Sequence, residues 1–155
     1  MNINILDYNC GNIWSVKNAF SYLGIDAKII KTKEEILKSD CIILPGDGSF
    51  KIIKDIKNKN LIDPLDHMAK IKKIPILGIC LGMQLLFESS EEFGNSNGLG
   101  FVKGVVKPFP KSISDKLPHV SWNSIEMQEL NWSGTIFDGI KNKDDFYFVH
   151  SYICK

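Results

Sequence analysis

The chain has 155 residues and an almost balanced charge, because 19 lysines and arginines oppose 18 acidic residues. Its composition, 44% hydrophobic and 24% charged, is typical of a globular protein, and the length predicts one domain over residues 1–155 with a substantial core. The charge balance excludes a strong overall field for nucleic acid or an anionic membrane surface. No apolar run approaches the roughly 20 residues of a membrane span, and residues 1–7 lack the pattern of a signal peptide.

Four cysteines are scattered along the chain without metal-ligand spacing: Cys10, Cys41, Cys80 and Cys154. A reduced, cytoplasmic setting fits such cysteines better than a disulfide framework does. We expect no metal and no cofactor.

Short apolar segments alternate with helical patterns as far as Phe87. Strands are predicted over residues 3–6, 27–30, 41–44 and 74–79. Apolar residues recur at helical spacing at Ile13, Val16, Phe20 and Leu23, and again at Leu61, Leu65, Met68 and Ile71. Thr32 and Glu35 form a capping-box pattern, which predicts a short helix after the second strand. This alternation predicts an α/β fold, a doubly wound and mostly parallel sheet with helices on both faces.

The carboxyl ends of these strands indicate where a ligand would bind, because ligands of doubly wound sheets lie outside that edge. Three segments follow strands there: residues 9–12, residues 45–48 and Cys80. We expect the three segments to converge.

After Phe87 the sequence is richer in polar residues, glycine and proline. Residues 89–100 are predicted to form a loop, and residues 137–140 a short turn or helix. Strands are predicted over residues 102–109, 120–127 and 146–153. This interpretation puts His119 in a loop and His150 in a strand.

Cys80 lies in the most informative segment, an apolar strand that runs into Gly78-Ile79-Cys80-Leu81-Gly82. The pattern is typical of a nucleophile elbow with cysteine in place of serine, because the tight turn requires small residues around the nucleophile. At the start of the next helix, free N–H groups and the helix dipole favour a thiolate. A small buried cysteine in an ordinary strand-to-helix turn is the alternative.

A cysteine nucleophile needs backbone donors for an oxyanion. The N–H of Leu81 is the first candidate. The loop at residues 45–48 is the second, because Gly46 and Gly48 allow unusual backbone angles and close approach to a substrate. A plain strand-to-helix turn is again the alternative.

The residues alone do not assign the base. The three histidines, His67, His119 and His150, are each open to a structural role. None is followed by a nearby acidic residue that would orient it as in a catalytic triad.

Six runs of residues carry a resemblance to a known family, and they span almost the whole chain: 7–16, 44–50, 78–84, 98–100, 118–123 and 146–152. On these runs the chain resembles the class I, triad-type glutamine amidotransferases. The elbow is common to all of them. The Pro-His-x-x-Trp-Asn run at 118–123 and the Tyr-Phe-Val-His-Ser-Tyr run at 147–152 are similar to the HisH-type glutaminase subunits.

The resemblance implies that Cys80 attacks the side-chain amide of glutamine, while N–H groups near Gly48 and Leu81 hold the oxyanion. It implies a glutamine site at Gly46, Gln84, Ser151 and Tyr152. The released ammonia would pass to a (β/α)8-barrel synthase of the HisF type, the partner in a heterodimer, with an interface near Asn12, Trp122 and Tyr147. The implied pathway is histidine biosynthesis.

The chain departs from the family in two ways. The family's base belongs to a His-Pro-Glu run, which does not occur in these residues. The resemblance therefore implies a domain that is incomplete at its C-terminus and is weak or inactive alone. Asp47 and Ser121 stand where the family often has an apolar residue and a glycine. A carboxylate at Asp47 would raise the pKa of a nearby nucleophilic thiol unless the side chain points away.

Three other interpretations stay open. The chain could be a pseudo-subunit that binds a partner without chemistry, or it could supply ammonia to a sugar-modifying synthase of surface-polysaccharide synthesis. An α/β-hydrolase with a cysteine nucleophile would leave the HisH-type runs unexplained.

Overall fold

The computed structural model describes residues 1–110, 116–127 and 132–155. The chain divides into two compact units, one formed by Met1–Lys107 with Cys154–Lys155 and the other by Pro108–Ile153. The prediction of one domain stays a prediction, and the units are described separately. In the described ranges, no helix combines the length and the apolarity that a membrane crossing requires.

A parallel four-stranded sheet forms the centre of the first unit. Its strands are β1 (Ile3–Leu6), β2 (Lys28–Ile30), β3 (Cys41–Leu44) and β4 (Ile76–Gly78). Their order is β2-β1-β3-β4, and every neighbouring pair is parallel. The predicted α/β fold with a doubly wound parallel sheet is confirmed. The strand order reverses at β1, so the topological switch point lies between β1 and β3.

Short helices connect these strands: α1 (Ile13–Tyr22), α2 (Lys33–Ile36), α3 (Ile53–Asn58), α4 (Ile62–Asp66) and α5 (Leu81–Leu85). The capping box is confirmed, because Thr32 accepts from the Glu35 N–H and Glu35 accepts from the Thr32 N–H. Backbone donors of Lys31 and Thr32 lower the pKa of Glu35. The local sequence therefore fixes where α2 begins.

The core lies on the central strands, where Ile5, Leu6, Ile42 and Leu44 are fully buried. The predicted helical face between β3 and β4 is confirmed at Leu61, Leu65 and Met68, which are buried. It is wrong at Ile71, which is 68% exposed. Residues His67–Ile71 form a π-helical turn, whose wider spacing moves Ile71 off the buried face.

A second sheet in the first unit contains β5 (Phe87–Ser90), β6 (Ser96–Asn97) and β7 (Val102–Pro108). The predicted loop over residues 89–100 is wrong at residues 89–90, which end β5, and at residues 96–97, which form β6. Ser89 and Ser90 pair with β7 in parallel and with β6 in antiparallel fashion. Their backbone pairing and the full burial of Ser90 outweigh the polar composition of the segment.

An antiparallel hairpin dominates the second unit. Its strands are β8 (His119–Ser124) and β9 (Asp145–His150), with Trp122 opposite Tyr147. The prediction of a loop at His119 is wrong, because this residue pairs with His150 and is the first residue of β8. The predicted strand over 146–153 is two strands, because the chain bends at Ser151 before β10 (Tyr152–Cys154).

Candidate functional site

The segments that follow β1, β3 and β4 meet backbone to backbone. A Cβ added at Gly11 would lie 2.8 Å from the Gly46 nitrogen. One added at Gly46 would lie 2.5 Å from the Gly82 nitrogen. Gly46 is therefore held between the loop after β1 and the turn after β4, which agrees with the expected convergence at the carboxyl edge.

Cys80 has the backbone strain of an elbow nucleophile. Its φ is 55° and its ψ is −115°, a combination that non-glycine residues rarely adopt. A Cβ at Gly82 would overlap the Leu44 carbonyl oxygen, and a Cβ at Gly78 would overlap the Met83 backbone. Both glycines are required by close backbone approach, as the elbow pattern predicts.

The Cys80 residue caps α5, which has only five residues. Its carbonyl accepts from the N–H groups of Met83 and Gln84, at 3.0 and 3.2 Å. Leu81 is the first residue of α5, and the first N–H groups of a helix have no intrahelical acceptor. In so short a helix, these local N–H groups are the main electrostatic feature beside the thiol, and the macrodipole is the weaker one.

The four cysteines have different environments. Burial raises the pKa of the thiols of Cys41 and Cys154. Cys41 and Cys154 are half-buried and Cys10 is buried, whereas Cys80 is exposed. Access alone therefore favours Cys80 as the reacting thiol.

Asp47 is turned toward the loop after β1. Its Oδ1 accepts from the Gly11 N–H at 3.1 Å, and its carbonyl oxygen lies 3.0 Å from the Cys10 Sγ, which donates to it. Burial raises the pKa of Cys10, and the Asp47 carboxylate adds to this rise, while the hydrogen bond to the Asp47 backbone opposes it. The Asp47 carboxylate, which is expected from the sequence to raise the pKa of a nearby thiol, thus raises that of Cys10.

Tyr8 also braces the loop at residues 45–48. Its side chain is fully buried, and its hydroxyl donates to the Pro45 carbonyl. Burial raises the pKa of this phenol, so it stays protonated as a donor. Sequence reasoning missed Tyr8 and Cys10 as supports of the loop. The available signal was their position directly after β1, at the switch point.

A cavity of about 710 Å³ opens beside this loop. Trp14, Lys31 and Asp47 line it together with residues 9–12, but Cys80 does not. Asp7 and Lys31 form an ion pair of 3.0 Å at its rim. Partial burial raises the pKa of Asp7, but the Asn9 N–H and the Lys31 ammonium outweigh burial and lower it overall.

The remaining predicted site residues divide between the two units. In the first unit, Gln84 is half-buried in α5 and Gly48 is exposed with a φ of 82°. Asn12 is exposed, and its side-chain oxygen caps α1 by accepting from the Ser15 N–H. In the second unit, Ser151 and Tyr152 are half-buried at the bend after β9.

One face of the hairpin carries four exposed apolar side chains in two cross-strand pairs: Val120 with Val149, and Trp122 with Tyr147. Trp122 is 66% exposed, and its ring centroid lies 5.5 Å from that of Tyr147. We call these four residues the aromatic face. Contiguous exposed apolar patches are a common feature of interaction surfaces.

The three histidines are divided between the two units. His67 is exposed on the π-helical turn. His119 and His150 face each other in the second unit, with Nδ1 of the first 3.0 Å from Nε2 of the second. Among the described residues, no group of three or more potential metal ligands is present.

The chain is similar to known proteins over almost its whole length. Residues 4–155 match the family model of glutamine amidotransferase class-I. The chain is 42% identical over 154 residues to imidazole glycerol phosphate synthase subunit HisH 1 of Campylobacter jejuni strain 81-176, with coverage of 99% of this chain and 75% of the relative. It is 42% identical over 153 residues to subunit HisH 2 of Vibrio vulnificus strain YJ016, with coverage of 97% and 70%.

Solved structures with low identity share the fold. A crystal structure of a glutamine amidotransferase matches with a TM-score of 0.73 at 18% identity, covering 100% of this chain and 74% of the other. The glutaminase domain of Trypanosoma brucei CTPS with bound acivicin matches with a TM-score of 0.63 at 18% identity, covering 99% and 68%. These matches support the fold independently of close sequence similarity.

Proposed function

The chain belongs to the glutamine amidotransferase class-I family, and on that premise we propose that it is the glutaminase subunit of an imidazole glycerol phosphate synthase in histidine biosynthesis. The HisH relatives at 42% identity support the pathway. The observation that carries the chemistry is Cys80, an exposed thiol on a strained backbone at the carboxyl edge of a parallel sheet. A strained residue persists only where the surrounding structure holds it, and such residues concentrate at active sites.

In this proposal, the Cys80 thiolate attacks the side-chain amide carbon of glutamine. A carbon–sulfur bond forms, and the amide oxygen becomes an oxyanion. The tetrahedral intermediate then collapses, the carbon–nitrogen bond breaks, and the leaving nitrogen takes up the proton that the thiol lost on ionisation and departs as ammonia. Water hydrolyses the remaining glutamyl thioester to glutamate and restores the thiol. The reaction uses no cofactor and no metal.

Backbone donors stabilise the oxyanion in this proposal. The Leu81 N–H, at the start of α5, is one donor, and the Gly48 N–H is the other. The contacts that Tyr8 and Cys10 make with the loop at residues 45–48 support this assignment, because preorganised donors need no rearrangement during the reaction. A donor of this type contributes about 10²–10³-fold to turnover.

The glutamine site is proposed at Gly46, Gln84, Ser151 and Tyr152. Gly46 supports it through its close backbone contact with the turn that carries Cys80, which holds Gly46 near the thiol. Gln84 lies on α5 one turn after Cys80. Its amide can both donate and accept hydrogen bonds, as recognition of an amino acid requires.

The partner is proposed to be a (β/α)8-barrel synthase of the HisF type, bound as a heterodimer in the cytoplasm. The aromatic face supports an interface at Trp122 and Tyr147, because exposed aromatic residues are enriched where proteins associate. Asn12, an exposed residue of the first unit that also caps α1, is proposed as a further contact for the partner. A sheltered path to the acceptor would keep the ammonia unprotonated and nucleophilic.

The first experiment measures glutamate release from glutamine by the 155-residue chain, alone and with a barrel synthase bound to its acceptor ligand. Release that depends on the synthase and on Cys80 supports the proposal. Binding of the synthase without glutamate release would contradict the catalytic part and favour a pseudo-subunit.

A second experiment tests whether Cys80 is the nucleophile without requiring turnover of glutamine. An electrophilic glutamine analogue alkylates a thiolate without expelling ammonia, so it needs no proton donor for a leaving amine. We expect labelling at Cys80, loss of labelling in Cys80→Ala, and unchanged labelling in the matched control Cys41→Ala. Labelling at Cys10 or Cys41 would refute the elbow assignment. Trp122→Ala should weaken coupling to the synthase more than it changes labelling of the thiol.

A further inference from the structure

His119 and His150 link the hairpin to the bend that follows it. They are cross-strand partners, and the Nδ1 of His119 lies 3.0 Å from the Nε2 of His150. The Nδ1 of His150 in turn lies 2.9 Å from the carbonyl oxygen of Tyr152. Two hydrogen bonds therefore join the first residue of β8 to the backbone two residues beyond β9.

The chemistry of the acceptor fixes the protons of this chain of bonds. A carbonyl oxygen only accepts, so the Nδ1 of His150 carries a proton. In neutral His150 the Nε2 is then unprotonated and accepts, so the Nδ1 of His119 is the donor. The neutral pair thus has one arrangement of protons, in which both rings are protonated at Nδ1. The Nε2 of His119 is then unprotonated and carries a lone pair.

Aromatic rings surround the pair. The Phe109 ring centroid lies 5.0 Å from that of His150, and Phe148 lies 6.2 Å from His119. Both histidines are half-buried at a cavity of about 440 Å³. Lys116 is the charged side chain among the described residues that line this cavity. Apolar neighbours limit competition by water, so the two bonds hold more firmly than they would on an open surface.

We propose that the His119–His150 pair is a positioning device, which holds the backbone of Ser151 and Tyr152 in a fixed orientation relative to the β8–β9 hairpin. This inference rests on the proposed function, in which Ser151 and Tyr152 bind glutamine. The His150 ring spans the bend and restrains the Tyr152 carbonyl, while His119 restrains the His150 ring. The hairpin also carries the aromatic face, so a partner bound there acts on the same rigid element that orients the glutamine-binding backbone.

Matched substitutions at His119 test the device without touching the proposed glutamine contacts. His119→Leu removes the donor and keeps an apolar side chain, whereas His119→Asn keeps an N–H donor close to the position of Nδ1. His67→Gln, on the exposed π-helical turn, is the control for general effects of losing a histidine. It also identifies the resonances of the His67 ring, because those resonances disappear from the spectrum of this variant.

Nuclear magnetic resonance of the uniformly ¹⁵N-labelled full chain detects both the histidine ring nitrogens and the backbone amides, and so tests the device directly. We expect His119 and His150 to be protonated at Nδ1 in their neutral forms, and we expect the amide resonances of Ser151 and Tyr152 to shift in His119→Leu but to stay near their original positions in His119→Asn. Nε2 protonation of both neutral rings, or unmoved amides in His119→Leu, would overturn the proposal.

The dependence of Cys80 labelling on the concentration of the electrophilic glutamine analogue measures how well the site binds the analogue. We expect His119→Leu to raise the half-saturating concentration about fivefold, with the limiting rate nearly unchanged, and His119→Asn to restore it. Saturable labelling that is identical in His119→Leu and the unsubstituted chain would overturn this inference alone. Absence of saturable labelling in the unsubstituted chain would instead refute the proposed function.

Discussion

The strand-end loops of the first unit meet in close backbone contact, whereas in the second unit ring contacts lie across a hairpin whose strands pair through their backbones. Gly46 touches both the loop after β1 and the elbow after β4, with no side chain between them. In the hairpin, Trp122 lies against Tyr147, and the ring of His119 lies against that of His150. A site built from backbone tolerates no added atom, because any Cβ meets main chain that cannot move away. A surface built from side chains tolerates substitution and leaves its groups available for contact.

The largest effect is expected from Gly82→Ala. Its new Cβ would overlap the Leu44 carbonyl oxygen, so we expect a loss of about 3 kcal/mol or more in the free energy of unfolding. The matched control is Gly24→Ala, where nothing lies within 4 Å and only the φ of 73° opposes a side chain. That variant should lose about 1 kcal/mol. Urea denaturation followed by circular dichroism compares them, and equal losses would refute the backbone contact.

Cys80→Gly is expected to stabilise the chain. Glycine adopts the φ of 55° without the steric cost that cysteine bears, so the free energy of unfolding should rise by about 1–2 kcal/mol. Cys80→Ala keeps the Cβ and should change stability by less than about 0.5 kcal/mol. The same denaturation experiment measures both. Stabilisation by alanine as large as that by glycine would mean that the thiol, and not the backbone, bears the cost.

The ion pair between Asp7 and Lys31, at the cavity of about 710 Å³, has a smaller and pH-dependent effect on stability. The pKa of Asp7 is lowered in the folded chain, so its contribution to stability is present above about pH 4, the ordinary range of the carboxyl, and is lost as the pH falls through the lowered value. Asp7→Asn should therefore lower the free energy of unfolding by about 1 kcal/mol near pH 7, and should leave it unchanged at a pH below the lowered pKa of Asp7. Urea denaturation at a series of pH values measures this difference. A constant difference at all pH values would contradict this linkage.

The smallest effect on folding is expected from the aromatic face. Trp122→Ala removes one exposed cross-strand pair, so the free energy of unfolding should fall by about 0.5 kcal/mol or less. Val120→Ala, on the same face, is the control for loss of apolar area without loss of a ring. A loss above about 2 kcal/mol in Trp122→Ala would place the indole in a core rather than on a free surface.

Local patterns predicted the sheet and the elbow well, because both are dictated by near neighbours in the chain. Apolar strands, the capping box at Thr32 and the glycines around Cys80 act over a few residues. Long-range partners were harder to predict. The contacts of Cys10 and Tyr8 with residues 45 and 47 join segments 37 residues apart. The strand character of His119 depends on His150, 31 residues later. The exposure of Ile71 follows from a π-helical turn that no periodicity of single residues indicates.

The place of Gly46 between two other backbones has a mechanical consequence. Protein interiors have low compressibility, and three main chains in van der Waals contact leave no slack between them. A displacement of the loop after β1 by a few tenths of an ångström must therefore be passed on to the turn that carries Cys80. The contact at Gly46 therefore forms a stiff linkage between the loop that lines the cavity and the turn that carries Cys80.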